Sequence, residues 1–118
     1  MTADHLRRMK CKSCRGGLPL LSADEISQLL PAVSAWQLAD EGIRLSRRWQ
    51  VKDFDEALDF FNRIAPVARE EDHHPDLHLV NYRSVTIEIT THAVGGLTEN
   101  DFILAAKIDA LPQPKPKT

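Results

Sequence analysis

Residues 85–92, Val-Thr-Ile-Glu-Ile-Thr-Thr-His, alternate between apolar and polar side chains. Successive side chains of a strand point to opposite faces, so Val85, Ile87 and Ile89 fall on one side and Thr86, Glu88, Thr90 and His92 on the other. Such a strand belongs in an antiparallel sheet with one packed face and one polar face, its helices gathered on the packed side. Leu77 to Tyr82 reads as a partner strand, with Arg83-Ser84 as the turn between them. Upstream, Phe54, Ala57, Leu58, Phe61, Ile64, Ala65 and Ala68 recur at helical spacing behind Asp53, a cap with Glu56 three residues on. Pro66 is expected to kink the last turns of this helix, and Glu70, Glu71 and Asp72 close it. Acids at a helix C-terminus oppose the macrodipole, so something other than helix stability sets that end.

The first half repeats the pattern. Ser22-Ala23-Asp24-Glu25 has the form of a capping box, and Ile26, Leu29, Leu30 and Val33 follow at helical spacing until Pro31 ends or bends the helix. Trp36-Gln37-Leu38 and Ile43 to Val51 read as a hairpin joined by Asp40-Glu41-Gly42, with Ile43, Leu45, Arg47 and Trp49 on one face. Trp36 and Trp49 read as packing residues. After the Gly95-Gly96 break, Thr98 caps a last helix with Asp101 at its third position. That helix carries two apolar stripes, Phe102, Ala105 and Ala106, then Ile103, Leu104, Ile108 and Leu111. Two stripes need two partners: the sheet, and the same helix of a second subunit. The expected fold is therefore α+β in two layers, a four-stranded antiparallel sheet with helices on one face, in the order αββαββα.

This domain spans residues 22–111. Residues 1–21 read as a mobile extension with a flexible Arg15-Gly16-Gly17, and residues 112–118, rich in proline and lysine, as a disordered tail. A formal net charge of −2 offers no basic field for nucleic acid, and no apolar run approaches the roughly 18 residues a membrane span needs. Residues 1–10 do not read as a signal peptide, so a cytoplasmic location is the expectation. No metal site is expected. The thiols of Cys11 and Cys14, in a single Cys-x-x-Cys, leave zinc two ligands short, with His5 or a second subunit as the remaining sources. The plainer reading is an exposed dithiol on a mobile arm.

Four of the chain's five histidines, His73, His74, His78 and His92, fall between residues 73 and 92. His73 and His74 are adjacent and point apart, and no HExxH or HxH spacing is present, which argues against a shared metal. Proton transfer fits better, because imidazole titrates near neutrality. The start of one hairpin strand lies opposite the end of the next, so His73, His74 and His92 can meet at one edge of the sheet. Asp101 either enters that corner or serves only as a helix cap, and spacing does not separate the two. Surface histidines without a task are the alternative reading.

His73-His74-Pro75, Tyr82, Thr91-His92 and Gly95-Gly96-Leu97-Thr98-Glu99-Asn100-Asp101-Phe102 resemble the signature of the pterin-4a-carbinolamine dehydratases. The resemblance covers residues 22–111 and includes the helix with Phe60-Phe61. It implies a small α+β domain that dimerises through its sheets and often forms tetramers through helices. It also implies dehydration of 4a-hydroxytetrahydropterin to quinonoid dihydropterin, recycling the cofactor of aromatic amino-acid hydroxylases without a metal or organic cofactor. The implied partners are a reduced pterin and further copies of the chain, as homodimer or homotetramer. By resemblance, His73, His74 and His92 match the active-site histidines and Asp101 the acid beside them. His74 and His92 would then transfer protons, His73 would contact the pterin, and Asp101 would orient an imidazole. Pro75, His78 and Thr91 would complete the substrate contacts. Leu77 stands where many members carry tryptophan, and the hairpin is one residue longer, so His78 becomes a candidate for part of the pocket wall. A binding, assembly or coactivator protein on the same fold is the other functional class.

Overall fold

The computed structural model describes residues 1–12 and 18–118. Strand β4, Ser84–Ile89, alternates buried and half-buried positions along its length and lies in the middle of the sheet. It pairs antiparallel with β2, Arg44–Gln50, and with β3, Asp76–Val80, while β1, Gln37–Ala39, pairs with β2 at the far edge. The order is β1-β2-β4-β3. Register fixes the faces: Leu45 opposite Ile89 and Leu79 opposite Val85 turn toward the helices. Ser46 opposite Glu88 and His78 opposite Thr86 lie on the other side.

The helix layer is α2, Ala23–Leu29, α3, Phe54–Glu71, and α4, Glu99–Ala110. Ser22 and Glu25 form the expected reciprocal cap, and Asp53 accepts from the Glu56 amide. Trp36 is buried, meets Trp49 edge-on at 6.1 Å, and donates its indole N–H to Asp109. The α+β architecture matches the expectation; several of its details do not.

β4 stops at Ile89, short of His92, and the β3–β4 turn begins at Asn81. Asn81 and Tyr82 adopt φ of +53° and +56°, a left-handed pair that reverses the chain, so Tyr82 belongs to the turn. Ile43 lies outside β2 and is 42% exposed. The buried stripe of α3 is Ala57, Phe60, Ile64 and Ala68, whereas Phe54 and Leu58 face outward. Adjacent Phe60 and Phe61 both fit a helical template, and packing against Trp49, 5.1 Å from Phe60, selects the former.

Both termini are also more ordered than expected. Residues Ala3–Arg8 form helix α1, capped by Thr2 and braced by Asp4 with Arg7 and Arg8. Leu6 is fully buried against the core, and α1 packs on α4. Burying one leucine stabilises by about 1.5–3 kcal/mol, enough to hold a short helix that could not persist alone. The second apolar side of α4 is thus covered within the chain, and every residue from Asn100 to Ala106 is buried. The tail is pinned as well: Lys52 N donates to Lys115 O, Lys117 N donates to Gln50 O, and Val51 bridges Pro116. These bonds satisfy backbone groups beyond the end of β2. Cys14 and Arg15-Gly16-Gly17 lie outside the described residues.

Candidate active site

α3 ends at Asp72, whose φ of +50° turns the chain out of the helix. The His73 amide then donates to Ala68 O at 3.2 Å, closing the helix with a six-to-one bond. From there Pro75 leads into β3. β3 then begins with Asp76 opposite Glu88, next to the last residue of β4. The histidine pair therefore sits beside the exit of β4, as hairpin geometry requires.

β4 leaves the ladder at Thr90, and Thr91 N donates to Gly96 O at 3.0 Å. Residues His92–Val94 make one 3-10 turn, ended by Gly95 at φ +71°. This fold-back brings Thr98 and α4 against Thr91. Asp101, fully buried, sits at the meeting point. Its Oδ1 lies 2.7 Å from His73 Nε2; its Oδ2 accepts from Thr91 Oγ1 and from the Thr98 amide, each at 2.8 Å. Helix cap and His73 partner are one residue, with the two contacts divided between its oxygens.

The donor inventory orders the cluster. A carboxylate only accepts, so His73 presents Nε2–H to Asp101. Thr91 spends its single hydroxyl hydrogen on Asp101, so Thr98 donates to Thr91 across 2.9 Å. His73, Thr91, Thr98 and Asp101 are all buried, where charge-assisted hydrogen bonds are strongest and least mobile.

The other candidates sit outside this knot. His74 and His92 are exposed and Pro75 is half-buried. His92 immediately follows Thr91 and His74 follows His73, so these two exposed histidines adjoin residues bound to the same carboxylate. His78 lies on the open sheet face, with Nε2 3.0 Å from Glu88 Oε1. A depression of about 410 Å³ opens beside β1 and β2, lined by Gln37, Ser46 and Arg48 among others, and none of its lining residues is a histidine. The acid–base cluster is the better site candidate because it concentrates oriented donors and acceptors.

Two residues of this region carry no role in the sequence reading. Glu71 is buried, accepts from the Cys11 amide at 2.8 Å and pairs with Lys107 at 3.1 Å. Burial works against its charge, but the Cys11 N–H and the Lys107 ammonium outweigh it and hold the carboxyl below its ordinary range. Its place at the acidic end of α3 was the available signal. Asn100, also buried, joins the backbone of Lys12 through both ends of its amide; in the sequence it stands only within the family signature, with no role of its own. Cys11 is half-buried, and desolvation, with the Glu71 charge second, pushes its thiol up to about 12. That thiol stays protonated near neutrality. Among the described residues, no three histidine, cysteine or acidic side chains gather closely enough to hold a metal ion.

The profile of the family described as Pterin 4 alpha carbinolamine dehydratase matches residues 19–111, most of the chain. The chain belongs to that family. Within the dehydratase family it is 50% identical over 109 residues to the Arabidopsis thaliana protein named pterin-4-alpha-carbinolamine dehydratase 2, mitochondrial. That match covers 90% of this chain, which spans 58% of the longer Arabidopsis protein. A putative pterin-4-alpha-carbinolamine dehydratase of Nitrosomonas eutropha is 48% identical, with 86% of this chain and 88% of that one covered. A Brucella melitensis crystal structure, described as a transcriptional coactivator/pterin dehydratase, superposes with a TM-score of 0.72 at 33% identity. It covers 78% of this chain and 97% of its own. The family profile takes in His73, His74, His92 and Asp101 and leaves out α1 and Cys11.

Proposed function

We propose that the chain dehydrates a 4a-hydroxytetrahydropterin to quinonoid dihydropterin and water, with its histidines as acid and base. One observation carries the reading: a single buried carboxylate holds His73 and Thr91, the residues next to the exposed His74 and His92 on separate segments. The substrate hydroxyl on C4a leaves as water once protonated. A ring N–H loses its proton so that the nitrogen electron pair can form the new double bond as the C–O bond breaks. Two imidazoles beside one flat heterocycle, one protonated and one neutral, perform both transfers. His74 and His92 take these roles, Asp101 fixes the tautomer and orientation of His73, and His73 lines the pterin site with Pro75 and Thr91. His78 sits further along the open face as a candidate wall residue. The reaction breaks one C–O bond and transfers protons with no external oxidant or reductant, and the proposal includes no resident metal or organic cofactor.

Self-association is part of the proposal, as a homodimer or homotetramer, with the outward Phe54 and Leu58 of α3 as apolar surface for a second copy; sedimentation velocity distinguishes the two. No helix among the described residues is long and apolar enough to cross a membrane. A cytoplasmic setting is proposed, and cell fractionation decides between it and an organelle such as the Arabidopsis name specifies.

The direct test is stopped-flow dehydration of a synthetic carbinolamine. His74→Ala and His92→Ala are each expected to lower turnover by roughly 10²–10⁴-fold. Near-wild-type rates in both would remove the assignment. Absent turnover in the wild-type chain, together with a stoichiometric protein partner, would favour the coactivator class instead.

A further inference from the structure

We infer that the N-terminal segment, residues 1–12, is a positioning element for the His73–Asp101 pair, acting through Glu71 and Asn100. The functional meaning of the pair rests on the dehydratase reading; the positioning does not.

The two partners of the 2.7 Å contact come from different helices. His73 follows the last turn of α3, and Asp101 lies in the first turn of α4. Helix ends are the least constrained parts of a helix, so this contact depends on something that fixes one terminus against the other. The N-terminal segment spans that gap. The Cys11 amide donates to Glu71, two residues before His73. One residue on, Lys12 N donates to Asn100 Oδ1 at 2.9 Å and Lys12 O accepts from Asn100 Nδ2 at 2.7 Å. Asn100 immediately precedes Asp101. The Cys11 thiol adds a donation to Asn100 O at 3.6 Å.

The segment is itself anchored, since Leu6 is fully buried and α1 packs along α4. Lys107, on α4, holds the other oxygen of Glu71. A carboxylate at the C-terminal end of a helix is unfavourable by itself. Here it is retained in a buried position, 6% exposed, where its two oxygens tie α3 to the arm and to α4. Two adjacent residues of an element outside the family profile thus grip the neighbours of both members of the pair.

The test uses the full chain carrying Cys14→Ser, so that Cys11 is the single thiol. Asn100→Ala removes both bonds to Lys12, and Glu71→Ala removes the bonds to Cys11 and Lys107. Glu71→Gln keeps an oxygen for the Cys11 amide and serves as the conservative rescue. Three readouts are taken: the rate of Cys11 modification by a disulfide reagent, ring ¹H–¹⁵N correlations of His73, and kcat and KM for the carbinolamine. Both alanine variants are expected to speed Cys11 modification and turn the His73 ring from one tautomer into a mixture. They should lower kcat about tenfold with KM within about twofold, as for a misplaced but still bound reactant. Glu71→Gln should restore kcat and the ring spectrum to near wild type.

Faster Cys11 modification with an unchanged His73 spectrum would overturn the inference and leave the segment as packing alone. If an alanine variant fails to fold, the comparison of Glu71→Gln with wild type still decides: a mixed His73 tautomer despite the retained acceptor contradicts the proposed grip. A shifted His73 spectrum in Asn100→Ala, alongside full dehydration by His74→Ala and His92→Ala, would sustain the positioning while refuting the catalytic assignment.

Discussion

Replacing Asp101 by asparagine changes one atom of a buried side chain and should disturb three hydrogen bonds. The amide oxygen can replace Oδ2 and keep accepting from Thr91 and Thr98, now as a neutral acceptor. Hydrogen bonds to charged groups contribute about 1.5–3 kcal/mol and neutral ones about 0.5–1.5, so these two weaken by about 1 kcal/mol each. The amide NH₂ then faces His73 Nε2, where a donor already points. The ring must move its proton to Nδ1 or lose the contact, at a further cost of about 1–2 kcal/mol. Together these amount to about 3 kcal/mol, a fall in Tm of roughly 10 °C for a domain of this size. If the His73 orientation matters to the reaction, losing its charge-assisted bond should lower kcat by about 10–150-fold. Calorimetry and stopped-flow absorbance on one preparation give both numbers. Thr91→Val is the comparison: it removes the hydroxyl that donates to Oδ2 and accepts from Thr98 while leaving the His73–Oδ1 contact in place, and should cost about 1–3 kcal/mol in stability with the His73 tautomer unchanged. Asparagine at 101 with kcat within threefold of wild type and an unchanged His73 tautomer would refute the reasoning.

Three further outcomes are expected. Leu6→Ala should destabilise the chain by about 2–5 kcal/mol in urea titrations, because it empties a fully buried position; a loosely draped extension would give almost nothing. Deleting residues 112–118 removes the bonds at Lys52 and Lys117 and should cost about 1–2 kcal/mol, with faster amide exchange at Lys52. Glu71, held below its ordinary range, contributes stability that is present above the free-glutamate value near 4.3 and lost as pH falls through the lower folded value. Glu71→Gln should therefore flatten the acid limb of stability against pH. The Cys11 thiol, at about 12, has the opposite sign: its contribution is complete below the free-thiol value and fades as pH rises toward the folded one, a limb that Cys11→Ser should flatten.

Local periodicity made much of this fold legible. The alternation of 85–92 required a sheet with one packed face, and the Ser22 and Asp53 caps marked helix starts that the structure keeps. Tertiary selection was not legible. Phe60 and Phe61 satisfy the same helical template, and only contact with Trp49 chooses between them. Helix α1 offers a single inward leucine among charged neighbours, too little for any period to register. The tail has no pattern because its order comes from backbone pairing with the end of β2. At the site, the histidine cluster was visible as composition and spacing, but the partner of each ring was not. The two readings of Asp101, helix cap and partner of the histidine corner, could not be separated by spacing because the same side chain makes both contacts.

That shared carboxylate has a practical corollary. Any charge or proton arriving at His73 alters how strongly Oδ1 is engaged, and the electron density left on Oδ2 must change with it. The Thr98 amide, 2.8 Å away, receives that change directly. Its proton chemical shift becomes a built-in meter, readable in a simple titration, of what happens at an imidazole on the far side of the acid.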